Sequence, residues 1–121
     1  MEFHSDQAIY LQIADYICEQ ILTGTWESGA KIPSIRELAV DIEVNPNTVM
    51  RTYTFLQERD IIFNRRGIGY FVADGALDQT RKLKQDEFIS TGLPRFFKTL
   101  DLLGLSFSDL EKLYQQYQQK Q

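Results

Sequence analysis

Helical spacing of apolar residues carries most of this chain, and one short interval of β-rich runs interrupts it. Ile9, Ile13, Tyr16, Ile17 and Ile21 recur at three- and four-residue steps, which predicts an amphipathic helix over residues 7–23 packed on a core. Asp6 is placed to cap it and Gly24 to end it. Residues 25–31 read as a turn that Trp26 anchors to the core. Ile35, Leu38, Ala39 and Ile42 form the inward side of a short second helix, and Val49, Tyr53 and Leu56 that of a third. Two β-rich runs, 61–64 and 70–72, then flank Arg65-Arg66-Gly67-Ile68-Gly69 and predict a hairpin.

The polar positions say where these helices start. Ser34 and Glu37 have capping-box spacing, so each can satisfy a free backbone donor of the other. Asn45 can cap the third helix, and Pro46 suits its first position, where a missing N–H costs nothing. The second helix ends near Glu43, about two residues before Asn45, and so tight a connection predicts a helix-turn-helix. In that arrangement the later helix can enter a major groove while the earlier one crosses the backbone. Opposite its apolar side the later helix presents Asn47, Thr48 and Arg51, with Asn47 and Arg51 four apart on one stripe. Short amides and a forked guanidinium match base edges and phosphates. Arg36, in the first turn of the earlier helix, then faces phosphates; the competing role is a solvated arginine paired with a nearby acid. Arg65 and Arg66 at the hairpin tip can reach the flanking backbone or minor groove, against the commoner fate of a solvated tip charge.

A second pattern fills residues 76–121. Ile89, Leu93, Phe96, Leu100 and Leu103 step by four, three, four and three, the seam spacing of paired helices. Pro94 should kink or split this run near Gly92. Gly104 and Ser106 mark a stop and a new cap, after which Phe107, Leu110, Tyr114 and Tyr117 give another amphipathic helix, with Gln115 to Gln121 fraying. Two short helices cannot bury so many large side chains by themselves. Folding back on the preceding domain would leave one face open, so self-association about a two-fold axis is expected, through Phe88, Ile89, Leu93, Phe96, Phe97, Leu100 and Leu103. The expected organisation is a winged helix-turn-helix domain over residues 1–75 and a helical dimerisation region over 76–121, mainly α with a small β-hairpin wing and a C-terminal helical hairpin.

Charge complicates a nucleic-acid role. The net charge is −4, and residues 1–75 hold six Lys and Arg against eleven Asp and Glu, while residues 76–121 hold seven against six. Affinity for nucleic acid comes largely from neutralising phosphates, so only a local positive patch can rescue the role. Lys31, Arg36, Arg51, Arg65 and Arg66 supply one between residues 31 and 66, away from Asp6, Asp15, Glu19 and Glu27. The acid excess leaves a protein-binding winged helix as the alternative.

The remaining chemistry is sparse. A single cysteine, Cys18, excludes an internal disulfide, and with His4 as the one histidine no Cys/His zinc tetrad can be assembled from one chain. Cys18 lies within an amphipathic helix and reads as a residue at the edge of the core. No nucleophile–base pair, metal set or complete phosphate loop is visible, so neither an enzyme, a catalytic residue, a metal nor a cofactor is expected. No apolar run reaches the ~18–20 residues of a membrane span, and the acidic N-terminus is unlike a signal peptide, so a cytoplasmic protein is expected.

Three stretches carry a family resemblance: Gly29-Ala30-Lys31-Ile32-Pro33-Ser34-Ile35-Arg36-Glu37-Leu38-Ala39, Val44-Asn45-Pro46-Asn47-Thr48-Val49-Met50-Arg51-Thr52-Tyr53, and Arg65-Arg66-Gly67-Ile68-Gly69-Tyr70-Phe71-Val72. In this order and spacing they resemble the winged helix-turn-helix of the GntR family of bacterial transcription regulators, and most of all its YtrA-like subgroup, whose C-terminal region is short. The resemblance implies a homodimeric, sequence-specific DNA-binding regulator, a repressor, with operator DNA as its partner. It also implies DNA contacts by Arg36, by Asn45, Asn47, Thr48 and Arg51, and by the wing tip Arg65, Arg66 and Gly67. Glu43 and Asp60 depart from it, standing where the family usually has glycine. In a left-handed conformation each would cost about 1 kcal/mol, and Glu43 could repel a nearby phosphate.

Overall fold

The computed structural model describes residues 7–121, in two compact units divided along the chain between Leu83 and Lys84. His4 and the expected cap Asp6 lie outside the described residues. The first unit holds α1 (Ile9–Leu22), α2 (Ile35–Asp41), α3 (Pro46–Glu58), the antiparallel strands β1 (Ile62–Arg65) and β2 (Gly69–Val72), and the start of α4 (Ala76–Glu87). This is a winged helix-turn-helix.

Its core forms where the apolar spacing places it. Ile13, Ile17 and Ile21 from α1 meet Val49, Tyr53 and Leu56 from α3, and Ile62 and Val72, register partners in the hairpin, close the far side with Ala76. Cys18 is fully buried within this cluster, deeper than the core edge. Ile9 instead remains 44% exposed at the start of α1, and Tyr16 is only partly covered, its ring edge-on to Trp26 at 6.4 Å. The turn before α2 ends in a short pairing: the Ile32 N–H donates to the Tyr70 carbonyl (3.0 Å) and the Val72 N–H to that of Ala30 (2.9 Å). These bonds tie the approach to α2 against the wing.

The start of α2 is a complete capping box. The Glu37 N–H donates to Ser34 Oγ (3.1 Å) and the Ser34 N–H to Glu37 Oε1 (3.0 Å). Helices α2 and α3 end by one device. After α2 the Glu43 N–H donates to the Val40 carbonyl (3.3 Å) and the Val44 N–H to that of Ala39 (3.0 Å); after α3 the Asp60 N–H donates to Gln57 (3.0 Å) and the Ile61 N–H to Leu56 (3.0 Å). Both are Schellman closures, which need a left-handed residue just past the helix. That residue is Glu43 at φ 56° in one and Asp60 at φ 58° in the other. The closures then return Val44 and Ile61 to the core.

In the second unit a π-helical turn (Phe88–Gly92) leads into α5 (Leu93–Leu103), and α6 (Phe107–Gln119) follows. The proline disturbance expected near Gly92 takes this form. Pro94 has no N–H, and its ring crowds the carbonyl one turn earlier; a stretch of wider i→i+5 bonding accommodates both. The Phe88 ring lies over Gly92, where a Cβ would sit 2.9 Å from its Cδ1, so a side chain there must turn the exposed ring aside. A second capping box, Ser106 with Asp109 (both bonds 3.0 Å), starts α6. Helix α6 stays regular to Gln119, past the point where fraying was expected. Repeated i→i+4 backbone bonding, not burial, sustains this end, since every residue from Glu111 onward is exposed.

Candidate nucleic-acid interface

The first turn of α3 is built to be presented outward. Asn45 Oδ1 accepts the Asn47 N–H at 2.8 Å, and Pro46 follows in the first turn. Asn45 therefore uses its carbonyl oxygen in the cap and keeps its amide NH2 as the group that can donate outward. Asn47 and Arg51 are exposed and Thr48 is half-buried, while Val49, Tyr53 and Leu56 on the other side are 0% exposed. So sharp a division fixes which side of the helix can meet a partner.

Two polar groups lock that orientation from beneath. Thr52, fully buried, donates its hydroxyl to the Tyr10 carbonyl (2.8 Å), with the Thr48 carbonyl at 3.2 Å, and so fastens α3 to α1. The Tyr53 hydroxyl donates to the Pro33 carbonyl at 2.6 Å, immediately before the cap of α2, and its ring meets Tyr70 edge-on at 4.8 Å. Burial, reinforced by Tyr70 and Glu37, raises the Tyr53 pKa, so the hydroxyl stays protonated as a donor.

The structure brings Asn47, Thr48 and Arg51 together with Ala8, Ile9 and Tyr10 around one shallow concavity. The Arg51 guanidinium lies over the Tyr10 ring, 4.0 Å from its centroid. Arg36 lines a neighbouring hollow with Ala39, Val40, Val44 and Pro46. The wing tip is a separate cluster. There the Ile68 N–H closes a turn on the Arg65 carbonyl (2.9 Å) with Gly67 at φ 79°, and the Arg65 guanidinium carbon sits 5.3 Å from the Phe71 ring centroid. Arg66 is exposed on that turn.

Two residues at the interface escape the sequence patterns. Met50 is 48% exposed between Asn47 and Arg51, and its place three residues after Asn47 was the signal that could have found it. Tyr10 has no such signal, since only the packing of α1 on α3 brings it to Arg51. Among the described residues no group of three or more His, Cys, Asp or Glu is placed to hold a metal, and no helix is long and apolar enough to cross a membrane.

A buried three-helix scaffold that exposes the first turn of its third helix beside a two-stranded wing defines a DNA-binding regulator of the winged helix-turn-helix class. The chain belongs to the GntR family: the profile described as bacterial regulatory proteins, gntR family, matches residues 9–72. It is 38% identical over 109 residues to the HTH-type transcriptional regulator YhcF of Bacillus subtilis, covering 90% of this chain and 88% of YhcF. Over 72 residues it is 42% identical to the HTH-type transcriptional repressor YtrA of the same organism, covering 60% of this chain and 55% of YtrA. A crystal structure of a GntR-family transcriptional regulator from Bacteroides thetaiotaomicron superposes with a TM-score of 0.77 at 47% identity, covering 93% of this chain and 98% of that one. The family and these relatives are transcription regulators.

Proposed function

We propose that this chain is a cytoplasmic, homodimeric transcriptional repressor that binds a two-half-site operator. In this reading α3 enters the major groove, where Asn47, Thr48 and Arg51 meet base edges and phosphates and Asn45 donates from the cap. Arg36 holds a phosphate from α2, and Arg65, Arg66 and Gly67 place the wing on the flanking backbone or minor groove. The observation that carries it is the polar stripe of α3, exposed on a helix whose other side is completely covered. The repressor relative YtrA supports the direction of regulation.

Dimerisation belongs to the region from Ala76 onward, through Phe88, Ile89, Leu93, Phe96, Phe97, Leu100 and Leu103. Phe88, Ile89, Phe97 and Leu103 are between 47% and 68% exposed within one chain, apolar surface that a second copy would cover. Leu100 is the member of the set that is already buried within one chain, at 9% exposure. Selection of bound fragments from random duplex DNA should return a two-fold symmetric site with half-sites about 34 Å apart or at some longer spacing. Sedimentation of the free protein should give a dimer.

The acid excess of residues 1–75 favours one competitor, a winged helix that docks on protein. Salt separates the two: on DNA, removing Arg36 or Arg51 should flatten the slope of log K against log salt by about 0.9 for each phosphate that is no longer neutralised. Indifference to both substitutions would favour the protein-docking role.

A further inference from the structure

We propose that Tyr10 is a positioning residue for DNA binding, its ring serving as a shelf that holds the Arg51 guanidinium ready for a phosphodiester oxygen. This role rests on the reading that the polar stripe of α3 faces DNA.

The geometry is specific. Arg51 Cζ stands 4.0 Å from the Tyr10 ring centroid, within the range of a cation–π contact. The shelf is itself fixed twice: its backbone carbonyl accepts the buried Thr52 hydroxyl at 2.8 Å, and its ring packs edge-on against Phe55 at 6.1 Å. Thr52 and Phe55 are both on α3, so the helix that carries Arg51 also sets the ring beneath it. Asn47 and Thr48 line the same concavity as the stacked pair, placing two hydrogen-bonding side chains beside the cation. No carboxylate among the described residues pairs with Arg51, and the guanidinium keeps its edge N–H groups for an incoming oxygen while its face rests on the ring. A long side chain free in solvent would lose rotamer freedom on meeting DNA. Stacking offsets part of that loss in advance.

The test uses duplex fragments retained by the full wild-type chain. Affinity and salt slope are measured for wild type, Tyr10→Phe, Tyr10→Leu, Arg51→Ala and the Tyr10→Leu/Arg51→Ala pair, with circular dichroism and thermal melting confirming that each is folded. Tyr10→Phe keeps the aromatic face and should bind as wild type. Tyr10→Leu should weaken binding about two- to five-fold, and in the Arg51→Ala background it should add nothing, because the group it positions is gone. A direct readout accompanies these: ring-current displacement of the Arg51 δ-proton resonances in wild type and Tyr10→Phe, absent in Tyr10→Leu. If Tyr10→Leu weakens binding equally with and without Arg51, or the displacement is missing in wild type, the positioning role is overturned while DNA binding stands. If no duplex is retained by wild type, the DNA reading fails and takes this role with it.

Discussion

The two units of this chain solve opposite problems with similar residues. The first hides its large apolar side chains: Ile13, Ile17, Val49, Tyr53, Leu56, Ile61 and Val72 are all 0% exposed. The second displays them: Phe88, Ile89, Phe97, Leu102, Leu103, Phe107, Tyr114 and Tyr117 are exposed, and Leu100 is its one buried hydrophobic residue. Both units have well-made helix ends, including a complete capping box in each. Good local structure therefore does not imply a closed core. Three helices and a wing enclose one in the first unit, whereas two short helices and a π-helical turn have too little surface to wrap around their own side chains.

That contrast can be broken most forcefully at Leu56. Leu56→Ala leaves a cavity where nothing can collapse easily and should cost about 2–5 kcal/mol in urea unfolding. Phe97→Ser sharpens the other side of the comparison. It should barely change the unfolding of the winged unit but weaken self-association about tenfold or more, seen in sedimentation and in a Tm that no longer depends on concentration. A preserved dimer would mean that this face does not pair.

Smaller effects test the helix junctions. Gly92→Ala sets a Cβ 2.9 Å from Cδ1 of Phe88, but that ring is 55% exposed and can turn aside, and Gly92 already has helical backbone at φ −68°. Alanine's helix preference should therefore offset the clash and leave the stability of the full chain, read as Tm, within about 1 kcal/mol of wild type. At the left-handed ends of α2 and α3 a clear gain is expected. Glu43→Gly and Asp60→Gly should each stabilise by about 1 kcal/mol in thermal melts. The second unit already has glycine at its own Schellman end, Gly104 at φ 70° after α5. The winged unit thus carries backbone strain that its larger core can absorb.

The smallest effect expected is pH-dependent. Hydrogen bonds from the Ser34 backbone and hydroxyl, with Lys31 nearby, hold the Glu37 carboxyl below its ordinary pKa; Ser106 does the same for Asp109. Because the folded value lies below the unfolded one, this stabilisation is complete above the ordinary carboxylate range and is lost as pH falls through the folded value. The Tm gap between wild type and Glu37→Gln should therefore narrow on titration from about pH 7 to about pH 3.

Much of the winged unit was legible because its signals are local. Ser34 with Glu37, Asn45 with Pro46, and the glycine-containing turn between two β-rich runs each specify a conformation within a few residues, and the structure forms all three. Helical spacing likewise picked out Val49, Tyr53 and Leu56 as one buried side, which left Asn47, Thr48 and Arg51 on the other. Residues 76–87 were harder to read. Helix α4 is polar over most of its length, and only Ala76 and Thr80 are buried, too few to set up an apolar period.

What the amino-acid order determined by itself was therefore the helices other than α4, the caps of α2, α3 and α6, the wing and the polar stripe of α3, since each depends on neighbours within one or two turns. Tertiary structure alone decided that Thr52 would bolt α3 to the Tyr10 carbonyl, that Tyr53 would hold Pro33, and that Arg51 would lie on an aromatic ring. It also decided how much of the C-terminal apolar seam a single chain leaves uncovered. Those outcomes join residues twenty to forty-two positions apart or depend on total enclosed surface, and no periodicity along the chain records which distant faces will meet.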